Sequence, residues 1–195
     1  IFPVNPVKKV LYLDYELPTA LRKERLPPIP GGDVGQLIFP ELPYQFGLED
    51  DNKWKNLLGL MKQERPGVLF VDPFSSTHTF DENSSQIKMA LNRLDEIRFY
   101  FKCAIVVNHH ASSKTAISER KPIDMFRGHT SFVDWLDTAL ALYASTPDDA
   151  NAEEADAEQS HTKHVKLRFA KTRYTENRKP ISLEIDFRAQ TIRAK

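Results

Sequence analysis

The chain has 195 residues, 41% of them hydrophobic, with 27 basic and 27 acidic side chains and a formal net charge of zero. That length suffices for one ordinary domain with its own core, while the balanced charge excludes the uniformly basic surface of a protein built to coat nucleic acid. No apolar run approaches the ~20 residues of a membrane-spanning helix, and the single cysteine, Cys103, excludes an internal disulfide framework and suits a buried, inert thiol in a reducing cytoplasm.

Ile1-Phe2-Pro3-Val4 opens without an initiator Met, a basic n-region or an apolar stretch of signal length, and reads as a cut end. Val10-Leu11-Tyr12-Leu13-Asp14-Tyr15 is a short apolar run closed by Glu16, with Pro18 beyond it, and predicts a buried strand. Residues 26–43 hold Pro27, Pro28, Pro30, Gly31, Gly32, Pro40 and Pro43 around Leu37-Ile38-Phe39, the pattern of loops flanking one brief strand. Trp54, Leu57, Leu58 and Met61 then recur at helical spacing over residues 51–64, behind acid and cap candidates at Asp50 to Asn52. Pro66-Gly67 ends that helix. Val68-Leu69-Phe70-Val71 is continuously apolar, as expected of a parallel strand covered on both faces, and it delivers Asp72 at its carboxyl end.

Residues 74–84 read as a polar loop, with Ser84 and Ser85 as cap for a second amphipathic helix through Ile87, Ala90, Leu91, Leu94, Ile97 and Phe101. A second buried strand, Ala104 to Val107, ends in Asn108, His109 and His110. Strand, helix and strand make a right-handed crossover unit, so both strand ends lie on one edge of the sheet. Ligands of open α/β sheets bind at that edge, where Glu16, Asp72 and the histidines are expected to converge.

The loop over 111–126 carries Lys114, Arg120 and Lys121, and Arg127-Gly128 leads to Phe132, Val133, Leu136 and a strand-like stretch over 138–143. Residues 147–162 form an acidic excursion of linker character, with Asp148, Asp149, Glu153, Glu154, Asp156 and Glu158. Val165, Leu167 and Phe169, then Ile181, Leu183, Ile185 and Phe187, alternate as two antiparallel strands, and His161 to His164 reads as a solvated loop ahead of them. Residues 163–195 hold ten basic and three acidic side chains, a local charge of +7 hidden by the net zero.

A carboxylate where a parallel sheet opens, such as Asp72, can hold a Mg²⁺-bound water beside a nucleotide, although Asp beside Pro73 also suits a simple turn cap. Glu16 is placed to polarise an attacking water. His109 and His110 can contact a γ-phosphate, ligate zinc or bond to backbone in a packed strand end. Zinc is disfavoured, because the only cysteine lies inside a strand and His78, His129, His161 and His164 show no four-ligand spacing. A serine-hydrolase site is disfavoured too, since no Gly-x-Ser-x-Gly elbow occurs.

Taken in order, Val10 to Glu16, Val71-Asp72-Pro73-Phe74-Ser75-Ser76 with Asp81-Glu82-Asn83, Val107-Asn108-His109-His110-Ala111-Ser112-Ser113-Lys114, Arg127-Gly128 and Ala170-Lys171-Thr172-Arg173 resemble the successive motifs of the RecA-like P-loop ATPases. RepA-type hexameric helicases and related AAA-labelled ATPases of phages and plasmids share the pattern, over roughly residues 7 to 185. The resemblance implies a three-layer α/β/α fold with a mostly parallel central sheet and antiparallel C-terminal strands. It implies Mg²⁺-dependent ATP hydrolysis, in a replicative helicase or another DNA-associated motor. Glu16 would activate water, Asp72 hold Mg²⁺, and His110, or less readily His109, sense the γ-phosphate, with Arg127 beside the nucleotide. Lys171 and Arg173 would reach a neighbouring subunit's nucleotide in a homo-oligomeric, hexamer-like ring. Lys114, Arg120 and Lys121 would face single-stranded DNA.

Two departures qualify the match. Some ten residues after its Arg-Gly motif the RepA type carries an arginine where this chain has Asp137. There is also no Gly-x-x-x-x-Gly-Lys-Ser/Thr, for none of the seven glycines is followed by lysine. That loop cradles phosphates with its backbone N–H groups. The expectation is therefore the C-terminal major part of one RecA-like domain over 1–195, lacking its first β-P-loop-α unit and inactive alone. The alternative is a catalytically incomplete module that binds a protein or nucleic-acid partner.

Overall fold

The computed structural model describes residues 9–18, 21, 37–40, 47–81, 84–110, 130–144, 161–174, 176, 179–189 and 191–195. The chain divides into two compact units, Ile1–His110 with Gly128–Phe132, and Ala111–Arg127 with Val133–Lys195. The first holds a parallel sheet of β1 (Val10–Asp14), β2 (Leu37–Ile38), β3 (Val68–Asp72) and β4 (Ala104–Val107) in the order β2-β1-β3-β4. The second holds an antiparallel meander of β5 (Thr138–Ala144), β6 (Thr162–Thr172), β7 (Ile181–Asp186) and β8 (Thr191–Ala194).

Helix α1 (Asp51–Glu64) links β2 to β3, and α2 (Ile87–Phe101) forms the crossover from β3 to β4. Asp50 caps α1, its carboxylate accepting from Asn52 N at 2.8 Å and Lys53 N at 2.9 Å. The bond from Lys53, above all, holds that carboxyl below the usual range. Arg65 and Lys102 end α1 and α2 in left-handed conformation, with φ of 47° and 54°, and their N–H groups close on Met61 O and Arg98 O. At the start of α2 the expected serine cap gives way to Gln86, which caps without a side-chain bond; the Ser84 hydroxyl instead accepts from Gln86 N at 3.2 Å.

Burial along β1 and β3 alternates. Leu11, Leu13, Leu69 and Val71 are buried, together with Trp54, Leu57 and Met61 of α1 and Ile87, Ala90, Leu91, Leu94 and Ile97 of α2. The opposite face, with Tyr12, Phe70 and Val106, is half-buried to exposed. Coverage on both faces, expected from the continuous apolar runs, is therefore corrected: such runs do not distinguish a fully covered strand from one whose second face is only partly shielded.

Three further expectations change. Residues 74–84 are not a uniformly polar loop: Phe74–Thr77 winds into a 3₁₀ turn, and Phe74, Thr77 and His78 are buried. Phe74 lies against Phe132 with ring centroids 5.2 Å apart and against His78 at 4.9 Å, so one aromatic side chain draws the segment into the core. From Thr162 onward the supposed loop at His161–His164 is strand β6, where His164 sits opposite Glu184 of β7 with Nδ1 3.9 Å from Oε2. Strand β8 was not expected, because Thr191-Ile192-Arg193-Ala194 is too short for an alternating pattern to register.

In the second unit the register puts Leu140, Leu142, Leu167, Phe169, Ile181, Leu183 and Ile192 on one face of the sheet. Lys166, Arg168, Glu184 and Arg193 lie on the other, which therefore carries three of the ten basic side chains of residues 163–195. Among the described residues no helix is long and apolar enough to cross a membrane. The acidic excursion, apart from its last two residues, lies outside the described residues.

Candidate active site

The site follows from strand parity. Side chains two residues apart share a face, and the parallel register pairs Asp14 with Asp72 and Val71 with Val107. Tyr12 and Asp14 therefore project on the same side as Phe70 and Asp72, and as Val106, while Glu16, Asn108 and His110 lie just past the strand ends and are placed by their hydrogen bonds. Every one of these strands runs in the same direction, so the polar members gather at a single carboxyl edge.

There, Tyr12 Oη donates to Asp72 Oδ2 at 2.5 Å and Asn108 Nδ2 donates to Asp72 Oδ1 at 2.7 Å. Glu16 Oε1 lies 3.3 Å from His110 Nε2, both side chains more than half exposed. Solvent screening makes such a pair worth little to stability, which leaves it available to a ligand. Asp14 shapes the turn that carries Glu16: its Oδ1 accepts from Glu16 N at 3.0 Å and Leu17 N at 2.9 Å. Burial, then the bond to Asp72, then the charges of Asp72, Asp14 and Glu16 push the Tyr12 hydroxyl above its ordinary pKa of 10.0, so it stays a donor at neutral pH. Chemically, the edge offers a braced carboxylate beside a solvent-facing carboxylate–imidazole pair.

His109 turns elsewhere. Its ring packs 4.8 Å from Phe132 and 6.4 Å from Phe74, at the apolar end of β4, away from the carboxylates. Of the two histidines, His110 alone joins Glu16. Tyr12 and Asn108 were missed by sequence reasoning; the only signals are slight, Asn108 following the apolar run of β4 directly and Tyr12 being the one hydroxyl-bearing residue in Val10–Asp14.

In the second unit, Lys171 Nζ donates to the carbonyls of Val133 at 2.8 Å and Asp134 at 3.1 Å. Arg173 Nη1 bonds Asp137 Oδ1 at 2.9 Å and Nη2 bonds Asp134 O at 2.6 Å. Both cations thus cover the carboxyl end of α3 (Thr130–Trp135), where the helix dipole favours positive charge. Lys114, Arg120, Lys121 and Arg127 lie outside the described residues.

Among the described residues no group of three or more His, Cys, Asp or Glu forms a metal cage. The donor chemistry still suits Mg²⁺, which is typically held through one or two carboxylates, waters and substrate phosphates. With one donor on each oxygen, Asp72 keeps acceptor capacity on both. Cys103 takes no part; it is buried, and burial pushes its thiol up.

A parallel α/β sheet with carboxylates gathered at its carboxyl edge places them where open α/β proteins bind their ligands. The family model described as "AAA domain" matches residues 3–116, and the chain belongs to that family. Its fold is that of RecA-like ATPase domains. It is similar to a KaiC-like protein of the hyperthermophilic archaeon Pyrococcus horikoshii OT3, with TM-score 0.60 and 16% identity over 96% of this chain and 76% of that one. It is also similar to the ATPase domain of G40-P, with TM-score 0.62 and 13% identity over 90% of this chain and 70% of that one. Among curated proteins, none matches the chain in sequence.

Proposed function

We propose that the chain carries the metal-holding and water-activating side of an ATP-hydrolysing site. The observation that carries this reading is the convergence of Asp72, Glu16 and His110 at the carboxyl ends of β3, β1 and β4; membership of the AAA domain family supports it. Asp72 would hold Mg²⁺ through its free acceptor capacity. When bound, the ion neutralises charge on the β- and γ-phosphates. Glu16 orients and deprotonates the attacking water, and His110, hydrogen-bonded to Glu16, contacts the γ-phosphate and couples its presence to the base. The phosphate-cradling loop is a further requirement that these 195 residues do not contain, so the activity is proposed for the protein in which such a loop accompanies them.

The same reading extends to a helicase or DNA-associated motor that assembles as a homo-oligomeric ring, with Lys171 and Arg173 reaching a neighbour's nucleotide and Lys114, Arg120 and Lys121 meeting single-stranded DNA. The second reading, a partner-binding module that does not hydrolyse ATP, is favoured by the missing Gly-Lys-Ser/Thr motif. ATP turnover by the full-length protein separates the two. Hydrolysis that Glu16→Gln abolishes while ATP binding persists supports the first, and nucleotide-independent binding of a partner by a protein without turnover supports the second.

A further inference from the structure

We infer that Tyr12 and Asn108 are positioning residues that clamp the Asp72 carboxylate from the two flanking strands and set its orientation toward a divalent cation. The inference rests on the ATPase reading of Asp72 given above. Strand β3 lies between β1 and β4, and each neighbour contributes one donor, Tyr12 Oη to Oδ2 and Asn108 Nδ2 to Oδ1. Two donors on opposite oxygens fix both the tilt and the rotation of a carboxylate, which a single bond leaves free.

The donors are themselves held. The Tyr12 ring stacks on Phe70 at 4.6 Å with an interplanar angle of 6° and leans on Phe39 at 5.2 Å, so its hydroxyl is aimed along β3 toward Asp72. Asn108 is pinned through its backbone, its N–H donating to Val71 O at 2.8 Å and its carbonyl accepting from Phe74 N at 2.9 Å. A hydroxyl adds nothing to the apolar stacking that Phe would supply equally well, and in this strand it is directed at the carboxylate. Groups that orient a metal-holding carboxylate typically change metal affinity 10–100-fold when removed.

The test is Mn²⁺ binding to the full-length protein with a non-hydrolysable ATP analogue, free Mn²⁺ being read by electron paramagnetic resonance. Tyr12→Phe keeps the ring and deletes one donor; Asn108→Leu deletes the other and gives a second, independent variant. The expected result is Mn²⁺ affinity weakened by about 10-fold or more in each, with analogue affinity in the absence of metal unchanged and Asp72→Asn weaker still. If Asp72→Asn loses Mn²⁺ while both donor variants bind it as the wild type does, the clamp is overturned and the ATPase reading stands. If Asp72→Asn itself binds Mn²⁺ normally, the reading of Asp72 fails and the inference falls with it.

Discussion

Phe74→Ala tests the link between core and site. Phe74 is fully buried, and its ring meets Phe132, His78 and His109, while its N–H donates to Asn108 O behind the carboxylate edge. Truncating a buried Phe typically costs about 3–5 kcal/mol through lost transfer energy and the cavity left behind. That is a large share of the 5–15 kcal/mol, roughly, that holds a domain folded. At about 2–4 °C per kcal/mol for a chain of this size, Tm should fall by roughly 6–20 °C. Urea unfolding followed by intrinsic tryptophan fluorescence and far-ultraviolet circular dichroism reads the loss directly, and Phe74→Leu, which refills most of the space, should cost only about 1–1.5 kcal/mol. A Phe74→Ala cost below about 1 kcal/mol, the range of surface substitutions, would refute the packing and return residues 74–84 to the polar loop that composition suggests.

Two further outcomes follow from the second unit. Glu184 is bonded to Lys195 and lies near His164, and the Lys195 bond first holds its carboxyl below the ordinary 4.5. A depressed carboxylate stabilises the fold above its unfolded pKa and loses that contribution as pH falls through the folded value, so the Tm difference between wild type and Glu184→Gln should be present at neutral pH and shrink below about pH 4.5; a difference that grows on acidification contradicts the pairing. Lys171→Ala combined with Arg173→Ala should lower ATP turnover by about 10³-fold or more if these cations act across subunits, with assembly retained in size-exclusion chromatography. Cations that only cover the end of α3 would instead cost roughly 0.3–1 kcal/mol each in stability and leave turnover near wild type.

Much of the parallel unit was legible in sequence because its signals are local and periodic. The helical spacing of Trp54, Leu57 and Met61, the stop at Pro66-Gly67, and the apolar runs ending in Asp72 and Asn108 each have a direct physical cause in the fold. The same runs told which residues stand at the strand ends, and hence which carboxylates and histidine share an edge. Less legible were features decided by tertiary partners. Phe74 reads as one aromatic among serines and threonines until Phe132, 58 positions later, supplies its packing. His164 reads as loop until β7 offers Glu184 as its cross-strand neighbour. Tyr12 looked like core filling in an apolar strand, since neither stacking on Phe70 nor the reach of its hydroxyl to Asp72 is written in local spacing.

The role proposed for Glu16, hydrogen-bonded to His110 on the edge that also carries the braced Asp72, is to activate water for ATP hydrolysis. The decisive measurement is steady-state ATP turnover by the full-length protein, wild type against Glu16→Gln, with binding of a fluorescent ATP analogue measured on the same samples. A general base is worth about 10²–10⁴-fold, so turnover should fall by at least about 100-fold while analogue affinity stays within about twofold. Turnover at the wild-type rate in Glu16→Gln would contradict it.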